Sequence, residues 1–351
     1  MLKPASPLTS ERWSELSGRF SSKRIAVVGD FFLDKYLGFD PGISETSLET
    51  GQTAHQVTAV GYSPGAAGAS LANVVSLGAA EVIPVGFCGD DGEGYELKLG
   101  LGRLGCSTDC LVPAPECRTP AYLKPHDIGV AGIAGERERY DIINRQPLPA
   151  RVEQAILKMI EEVLPHVDAV LLEDQVEAPE TGVLTSAVRL QVASLAERFP
   201  GTVFWADSRR RIGLFRNVIL KPNQFEGVRA VFGDPPTAID EETASAAATA
   251  LAATTGKPVF LTRGDQGMLV ADAGRLEWAP AFPVRGPIDP TGAGASASAA
   301  AVLALVSGAT LIEAAMAANL VGSISVEQIG KCGVATRLQV ANRLEQWVTE
   351  S

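Results

Sequence analysis

Histidine is scarce in this chain. There are three in 351 residues (His55, His126 and His166), and none is spaced from another as metal ligands are. Zinc chemistry built on clustered Cys and His side chains therefore has no framework here. The five cysteines (Cys88, Cys106, Cys110, Cys117 and Cys332) are odd in number and form no Cys-x-x-Cys pair. They read as reduced thiols, mostly in the core, rather than a disulfide scaffold. Basic residues are outnumbered, 30 against 41 acidic, for a net charge of −11. A nucleic-acid binder would need a basic face, whereas a small anion held at one local site is compatible with this balance. Long apolar runs are also lacking. The most apolar helix, around residues 299–306, is too short to span a bilayer. The opening "MLKPASPLTSERWSELSGRF" has no signal-peptide apolar core. The expectation is a cytoplasmic protein with neither a nucleic-acid nor a membrane partner.

What is present is strand–helix alternation. Apolar runs at residues 24–32, 82–89, 168–174, 202–207, 217–223 and 258–264 have the character of buried parallel strands. Helical patterns fall between them at 66–77, 93–104, 150–164, 181–198 and 241–254. The predicted fold is α/β, a mostly parallel central sheet with helices on both faces, as a single domain over residues 1–351. Ligands in such folds bind beyond the carboxyl ends of the strands. Asp30, Asp174, Asp207 and Asn223 all lie at predicted strand ends and are expected to converge on one rim. Residues 36–63 and 118–145 break the alternation, and "RTPAYLKP" and "RERYDIINR" alternate at strand period. Both segments read as a small inserted β-lid, either a gate that keeps water from a reacting group or an edge hairpin without that role. After Gly264, "DQGMLVADAGRLEWAP" suggests a hairpin, and "TLIE" a capping box opening a helix that runs to residue 326.

Five short stretches carry chemistry. In "DPTGAGASASAAAVLAL", residues 289–305, Gly292-Ala293-Gly294 can turn tightly and aim backbone N–H groups at an anion, ahead of a helix expected to open on Ala295. Alone, such a turn is as readily a plain turn. In "KPNQFE", Asn223 and Glu226 lie three apart at a helix start, so they share a face. They are either a helix cap or a holder of Mg²⁺ near a nucleotide's phosphates. "LTRGDQG", with Thr262, Gly264 and Gly267, lets backbone approach a flat ligand or a phosphate. "GDFFLD" ends on Asp34, a carboxylate placed to accept from sugar hydroxyls. "SPGAAGASLANVVSLGA" brings the small residues Gly65, Ala66 and Ala69 to a helix N-terminus. "GDDGEG" is not Gly-x-Gly-x-x-Gly, and a dinucleotide fold is not indicated.

In this order, over residues 24–338, the stretches resemble the ribokinase-like (PfkB) family of carbohydrate kinases, and the opening and "ISETS" look most like bacterial heptose kinases. The resemblance implies ATP-dependent phosphoryl transfer to a sugar or sugar phosphate, with Mg²⁺, and a lid through which two copies often pair as a homodimer. It places the transferring phosphoryl group on Gly292, Ala293 and Gly294, and the acceptor on Asp34, Gly65, Ala66 and Ala69. Asn223 and Glu226 would organise Mg²⁺ and the phosphates, with Glu226 reaching the metal through water. Thr262, Gly264 and Gly267 would bind the nucleotide, and Asp289 and Thr291 a monovalent cation such as K⁺.

The chain departs from that pattern where chemistry is concentrated. The family's Gly-Ala-Gly-Asp signature ends here on Ala295, and that aspartate is the general base for the acceptor hydroxyl. Its loss costs ~10²–10⁴-fold in rate. The paired glycine reads Gly65-Ala66, the asparagine after it falls on Ala69, and a helix glycine reads Ala300. Several altered positions point to natural divergence rather than one replaced residue. Glu177 stands where heptose kinases carry a basic residue, which argues against a phosphorylated heptose. Two functions stay open: a sugar kinase impaired at Ala295, or an inactive protein that binds a nucleotide or sugar.

Overall fold

The computed structural model describes residues 8–330 and 332–350. The first seven residues, part of the N-terminal stretch discussed above, lie outside them. Helix α1 (Ser10–Gly18) leads into β1 (Arg24–Gly29), the long hairpin β2 (Phe31–Thr46) and β3 (Thr53–Ala66), and α2 (Ala67–Ser76). There follow β4 (Glu81–Cys88), α3 (Gly92–Arg103), β5 (Leu111–Pro113), β6 (Ala121–Asp127) and β7 (Tyr140–Ile142). Next come α4 (Ala150–Val163), β8 (Ala169–Asp174), α5 (Ser186–Arg198), β9 (Val203–Ser208), β10 (Ile219–Leu220) and α6 (Gln224–Phe232). The chain ends with α7 (Glu241–Thr255), β11 (Val259–Thr262), β12 (Met268–Asp272), β13 (Arg275–Ala279), α8 (Ala293–Val306), α9 (Leu311–Ser325) and α10 (Arg337–Glu350).

Nine strands form the main sheet in the order β13-β12-β11-β10-β9-β8-β1-β4-β5. Pairing is parallel from β11 to β5 and antiparallel only for the β11-β12-β13 edge. The α/β expectation is met. Strand alternation sorts the core into two layers. Ile25 and Val27, Ala169 and Leu171, Trp205 and Phe260 pack with α1, α2, α3, α8, α9 and α10. Their neighbours Ala26 and Val28, Val170 and Leu172, Phe204 and Ala206 pack with α4, α5, α6 and α7. Because side chains alternate along a strand, this parity also decides where the polar residues at the strand ends point.

The segments expected to form a lid make a second sheet, β3-β2-β6-β7. It is longer than the sequence suggests. The first apolar run does not continue to residue 32; the chain leaves the main sheet at Asp30, and Phe31 already begins β2. Asp30 causes the break. Its backbone N–H still donates to Glu173 O and its carbonyl accepts from Ala67, while its buried carboxylate binds backbone of the loop after β8. Two helix starts also differ from expectation. The helix foreseen from 181 opens at Ser186, where the Thr185 side chain accepts from Val188 N–H. The helix foreseen from Ala295 opens at Ala293. The run at 217–223 pairs as a strand only over Ile219–Leu220. Among the described residues, no helix is long and apolar enough to cross a membrane.

Candidate active site

Beyond the carboxyl ends of β8, β9 and β10 lies a cavity of about 770 Å³. Strand parity fills its floor. Glu173, Asp207 and Lys221 continue the series that carries Leu171, Trp205 and Ile219, so they face α8 and α2, and all three line the cavity. Asp30 and Asp174 have the opposite parity and do not reach it. The Asp30 carboxylate accepts backbone N–H groups of Gln175 (2.9 Å), Val176 (3.1 Å) and Val183 (2.7 Å). Asp174 accepts from Ser208 and Arg211. Of the four strand-end residues expected to converge, only Asp207 and Asn223 do.

One wall is the start of α8. Gly292, its N-cap, has φ 82°, a left-handed conformation that favours glycine. The Ala293 N–H donates to Pro290 O at 3.1 Å, so it is engaged within the turn, and Ala293 is not on the cavity wall. The N–H groups of Gly294 and Ala295 have no acceptor among the described residues. The unengaged amides at the start of α8 are thus those of Gly294 and Ala295, with Ala293 held within the turn. Ala295 itself lines the cavity, its methyl group presenting no proton acceptor.

Lys221 adds charge beside these amides. Its ammonium lies 2.7 Å from the Asp207 carboxylate, and the two are 3% and 7% exposed. Burial works to lower the Lys221 pKa, but Asp207 and then Glu226 outweigh it and raise it, so the lysine stays charged. A Cβ placed on Gly294 would stand 3.3 Å from Nζ and 3.6 Å from Asp207 Oδ2, which puts the ion pair against the first turn of α8.

At the other end stand Asn223, Gln224, Glu226, Thr262, Arg263 and Gly264. Asn223 and Glu226 form a complete capping box. Asn223 Oδ1 accepts from Glu226 N–H (2.9 Å), and Glu226 Oε2 accepts from Asn223 N–H (2.8 Å). Burial, then Asp207, pushes the Glu226 carboxyl above the ordinary carboxylate range. Two buried atoms here, Arg263 Nε and Gln224 Oε1, have no partner among the described residues. Buried polar atoms are ordinarily satisfied, so both fit contact with a bound molecule. Gly267 does not reach the cavity. Its φ is 82°, and a Cβ there would sit 2.2 Å from Ala279 O, so it serves the β12 hairpin. Among the described residues, no group of three His, Cys, Asp or Glu side chains is placed to hold a metal. A divalent ion would depend on phosphate and water oxygens beside Glu226.

Asp34, Tyr122 and Lys124 of the second sheet line another part of the cavity. Asp34 is 3% exposed and paired with Lys124 of β6 at 3.1 Å. Gly65 sits behind it, where a Cβ would come within 2.9 Å of the carboxyl carbon. Ala66 and Ala69 complete that side, with Cys332, whose thiol burial pushes up to about 11. Sequence reasoning missed Glu173, Lys124, Tyr122, Arg139 and Arg209, all on the wall. The Glu173 signal was legible in "AVLLED", where alternation sends adjacent acids to opposite faces. Lys124 and Arg139 were not legible, because their position depends on which strands the lid pairs. Glu177 corrects an expectation. It pairs with Arg210 at 2.8 Å and is not on the cavity wall. Asp289 and Thr291 belong to the loop before α8. The Asp289 carboxylate accepts from Thr291 N–H and Gly330 N–H, both at 2.9 Å, and these bonds hold its pKa down against burial.

Residues 217–336 match the family model described as pfkB family carbohydrate kinase. That segment is similar to a pfkB-family carbohydrate kinase domain. The matched segment holds Lys221, the Asn223–Glu226 capping box, the Thr262–Gly264 loop and the start of α8. Over the longer span the chain is 30% identical to the bifunctional protein HldE of Nitrobacter hamburgensis, covering 91% of this chain and 63% of that protein. It is also 30% identical to HldE of Hyphomonas neptunium, covering 93% and 64%. The chain thus spans less than two thirds of the length of these curated relatives. The fold aligns with Arabidopsis thaliana ribokinase complexed with ribose and ATP (TM-score 0.67, 20% identity, 92% of this chain and 99% of that one). It aligns as well with Escherichia coli phosphofructokinase-2 in complex with substrates and products (TM-score 0.69, 18% identity, 92% and 99%).

Proposed function

We propose that this protein transfers the γ-phosphoryl group of ATP to a hydroxyl of a sugar or sugar phosphate. The observation that carries the reading is that the unengaged amides of Gly294 and Ala295, the Lys221 ammonium, the Asn223–Glu226 box and Asp34 line one cavity. Phosphoryl transfer depends chiefly on positioning and on stabilising charge, and these groups supply both. The nucleotide would lie toward Thr262, Arg263 and Gly264, with Mg²⁺ held by its phosphates and, through water, by Glu226; that ion would neutralise developing charge. Asp289 and Thr291 are proposed for K⁺. Lys124, Arg139 and Arg209 on the wall favour an acceptor that bears an anionic group. The lid hairpin exposes Ile43, Leu48, Val57 and Val60, which suits pairing of two copies through their lids.

Ala295 supports a second reading, a protein that binds nucleotide or sugar without turnover. ADP formation over a panel of sugars and sugar phosphates, alongside calorimetry with ATP–Mg²⁺, separates the two. Binding with turnover supports the kinase. Binding without turnover supports the second reading, and absence of ATP binding removes both.

A further inference from the structure

With the aspartate position of α8 occupied by Ala295, the proton of the acceptor hydroxyl needs another destination. Five carboxylates line the cavity: Asp34, Glu173, Asp207, Glu226 and Asp265. Asp34 is tied to Lys124 and Asp207 to Lys221, and a carboxylate held by a cation is a poor base. Glu226 is committed to capping α6, and Asp265 is exposed in the turn after β11. Glu173 differs from all four. It is 1% exposed, and its hydrogen-bond partners are neutral: the Ser70 hydroxyl donates to Oε1 and the Gln175 amide donates to Oε2 at 3.1 Å.

Its placement suits the chemistry. Glu173 is the in-register neighbour of Asp207 on adjacent parallel strands, so it stands about 4.8 Å, one strand spacing, to the α2 side of that residue. Asp207 in turn abuts Gly294. Ala66, Ala69 and Ala295 share the cavity wall with Glu173, and where the family pattern has an asparagine and an aspartate the wall carries only methyl groups. We propose that Glu173 is the general base of the phosphoryl transfer, an inference that rests on the kinase reading above. The acceptor hydroxyl gives its proton to a Glu173 oxygen, directly or through one water. The freed oxygen pair forms the bond to the γ-phosphorus, and the bond from that phosphorus to the β–γ bridging oxygen breaks. ADP leaves with that electron pair, and Glu173 returns the proton to solvent on product release.

Burial, then Asp207, raises the proton affinity of Glu173 above the ordinary carboxylate range, toward the range where a base works best at neutral pH. The charged groups facing it are Asp207 from β9 and Lys221 after β10. Helices α2 and α8 carry no charged residue at all.

The test compares the native protein with Glu173→Gln, Ala295→Asp, the double variant and Ser70→Ala, by ADP release across pH on one panel headed by ribose and fructose 6-phosphate. Calorimetry with ATP–Mg²⁺ runs in parallel. Expected are turnover by the native protein with an acidic limb above the carboxylate range, and a fall in kcat of ~10²–10³-fold in Glu173→Gln at unchanged ATP affinity. The double variant regains at least tenfold over Glu173→Gln, its acidic limb moved down to the ordinary range. Ser70→Ala, which removes a hydrogen bond to the charged form, moves the native limb upward. Native-like kcat in Glu173→Gln overturns the proposal. So does an inert native protein, whether Ala295→Asp is active, which would keep the kinase reading, or inert as well. Should Glu173→Gln not fold, an unmoved limb in Ser70→Ala overturns it. Failure of the native protein to bind ATP removes the kinase reading itself.

Discussion

Lys221 Nζ lies 2.7 Å from the Asp207 carboxylate, and the pair is buried against Gly294 at the first turn of α8. Both charges are largely buried, so each depends on the other for compensation. Replacing Lys221 by Met leaves Asp207 buried and uncompensated and is expected to cost about 3–5 kcal/mol, read as a lower urea midpoint. The double variant Lys221→Met/Asp207→Leu should recover much of that stability, because both desolvation costs then vanish. ATP affinity should stay low in both, since the cation beside the α8 amides is gone in each.

Gly294 separates stability from phosphate binding. It lies within α8, so Gly294→Ala is expected to leave stability unchanged or to raise it by up to about 1 kcal/mol. Its methyl group would meet Lys221 Nζ at 3.3 Å and crowd the start of α8. ATP–Mg²⁺ affinity should drop roughly tenfold, about 1.4 kcal/mol, while the thermal midpoint holds. Calorimetry and a melting curve on the same sample check both halves.

Ala66 sits at the N-cap of α2 with φ 52° and ψ −118°, a conformation that L side chains rarely adopt. The strain is of order 1–3 kcal/mol. Ala66→Gly should therefore stabilise the protein, by roughly 1 kcal/mol after the entropy of the added glycine is counted. A lower midpoint in thermal or urea unfolding would contradict this.

Asp30 links the end of β1 to the loop after β8 through three backbone N–H groups. Burial, then Asp174, pushes its carboxyl up to about 6 from 3.8. The sign follows: between those values the folded protein holds a proton that the unfolded chain has released. The Asp30 contribution is therefore full below pH 4 and declines as pH rises through 6, by about 3 kcal/mol in all. Asp30→Asn, which does not titrate, should show a larger stability deficit at pH 4.5 than at pH 7.5. Urea unfolding at the two pH values reads this directly.

Much of the fold was legible because it is written locally. Alternating apolar runs and helical periods locate β1, β4, β8, β9 and β11 and the helices between them, and the capping patterns at Asn223 and Thr310 are both present as complete boxes. Boundaries failed where a distant residue competes with the local signal. Asp30 ends β1 by binding backbone some 145 positions away, and no local pattern encodes that. The long β2–β3 hairpin was underestimated because its first residues, Phe31 to Leu33, are as apolar as the strand before them and are buried like it.

The order of motifs, the absence of a carboxylate at 295 and the class of fold are properties of the sequence by itself, because each depends on residue type and spacing along the chain. The tertiary structure decided which of these residues meet. Strand parity turned Asp30 and Asp174 away and brought Glu173 toward α8; the turn at Pro290 engaged the Ala293 amide and left those of Gly294 and Ala295 without an acceptor among the described residues. Lid pairing carried Lys124 to Asp34. Each outcome depends on side-chain direction and on contacts between residues distant in the chain, which close packing resolves and sequence spacing does not.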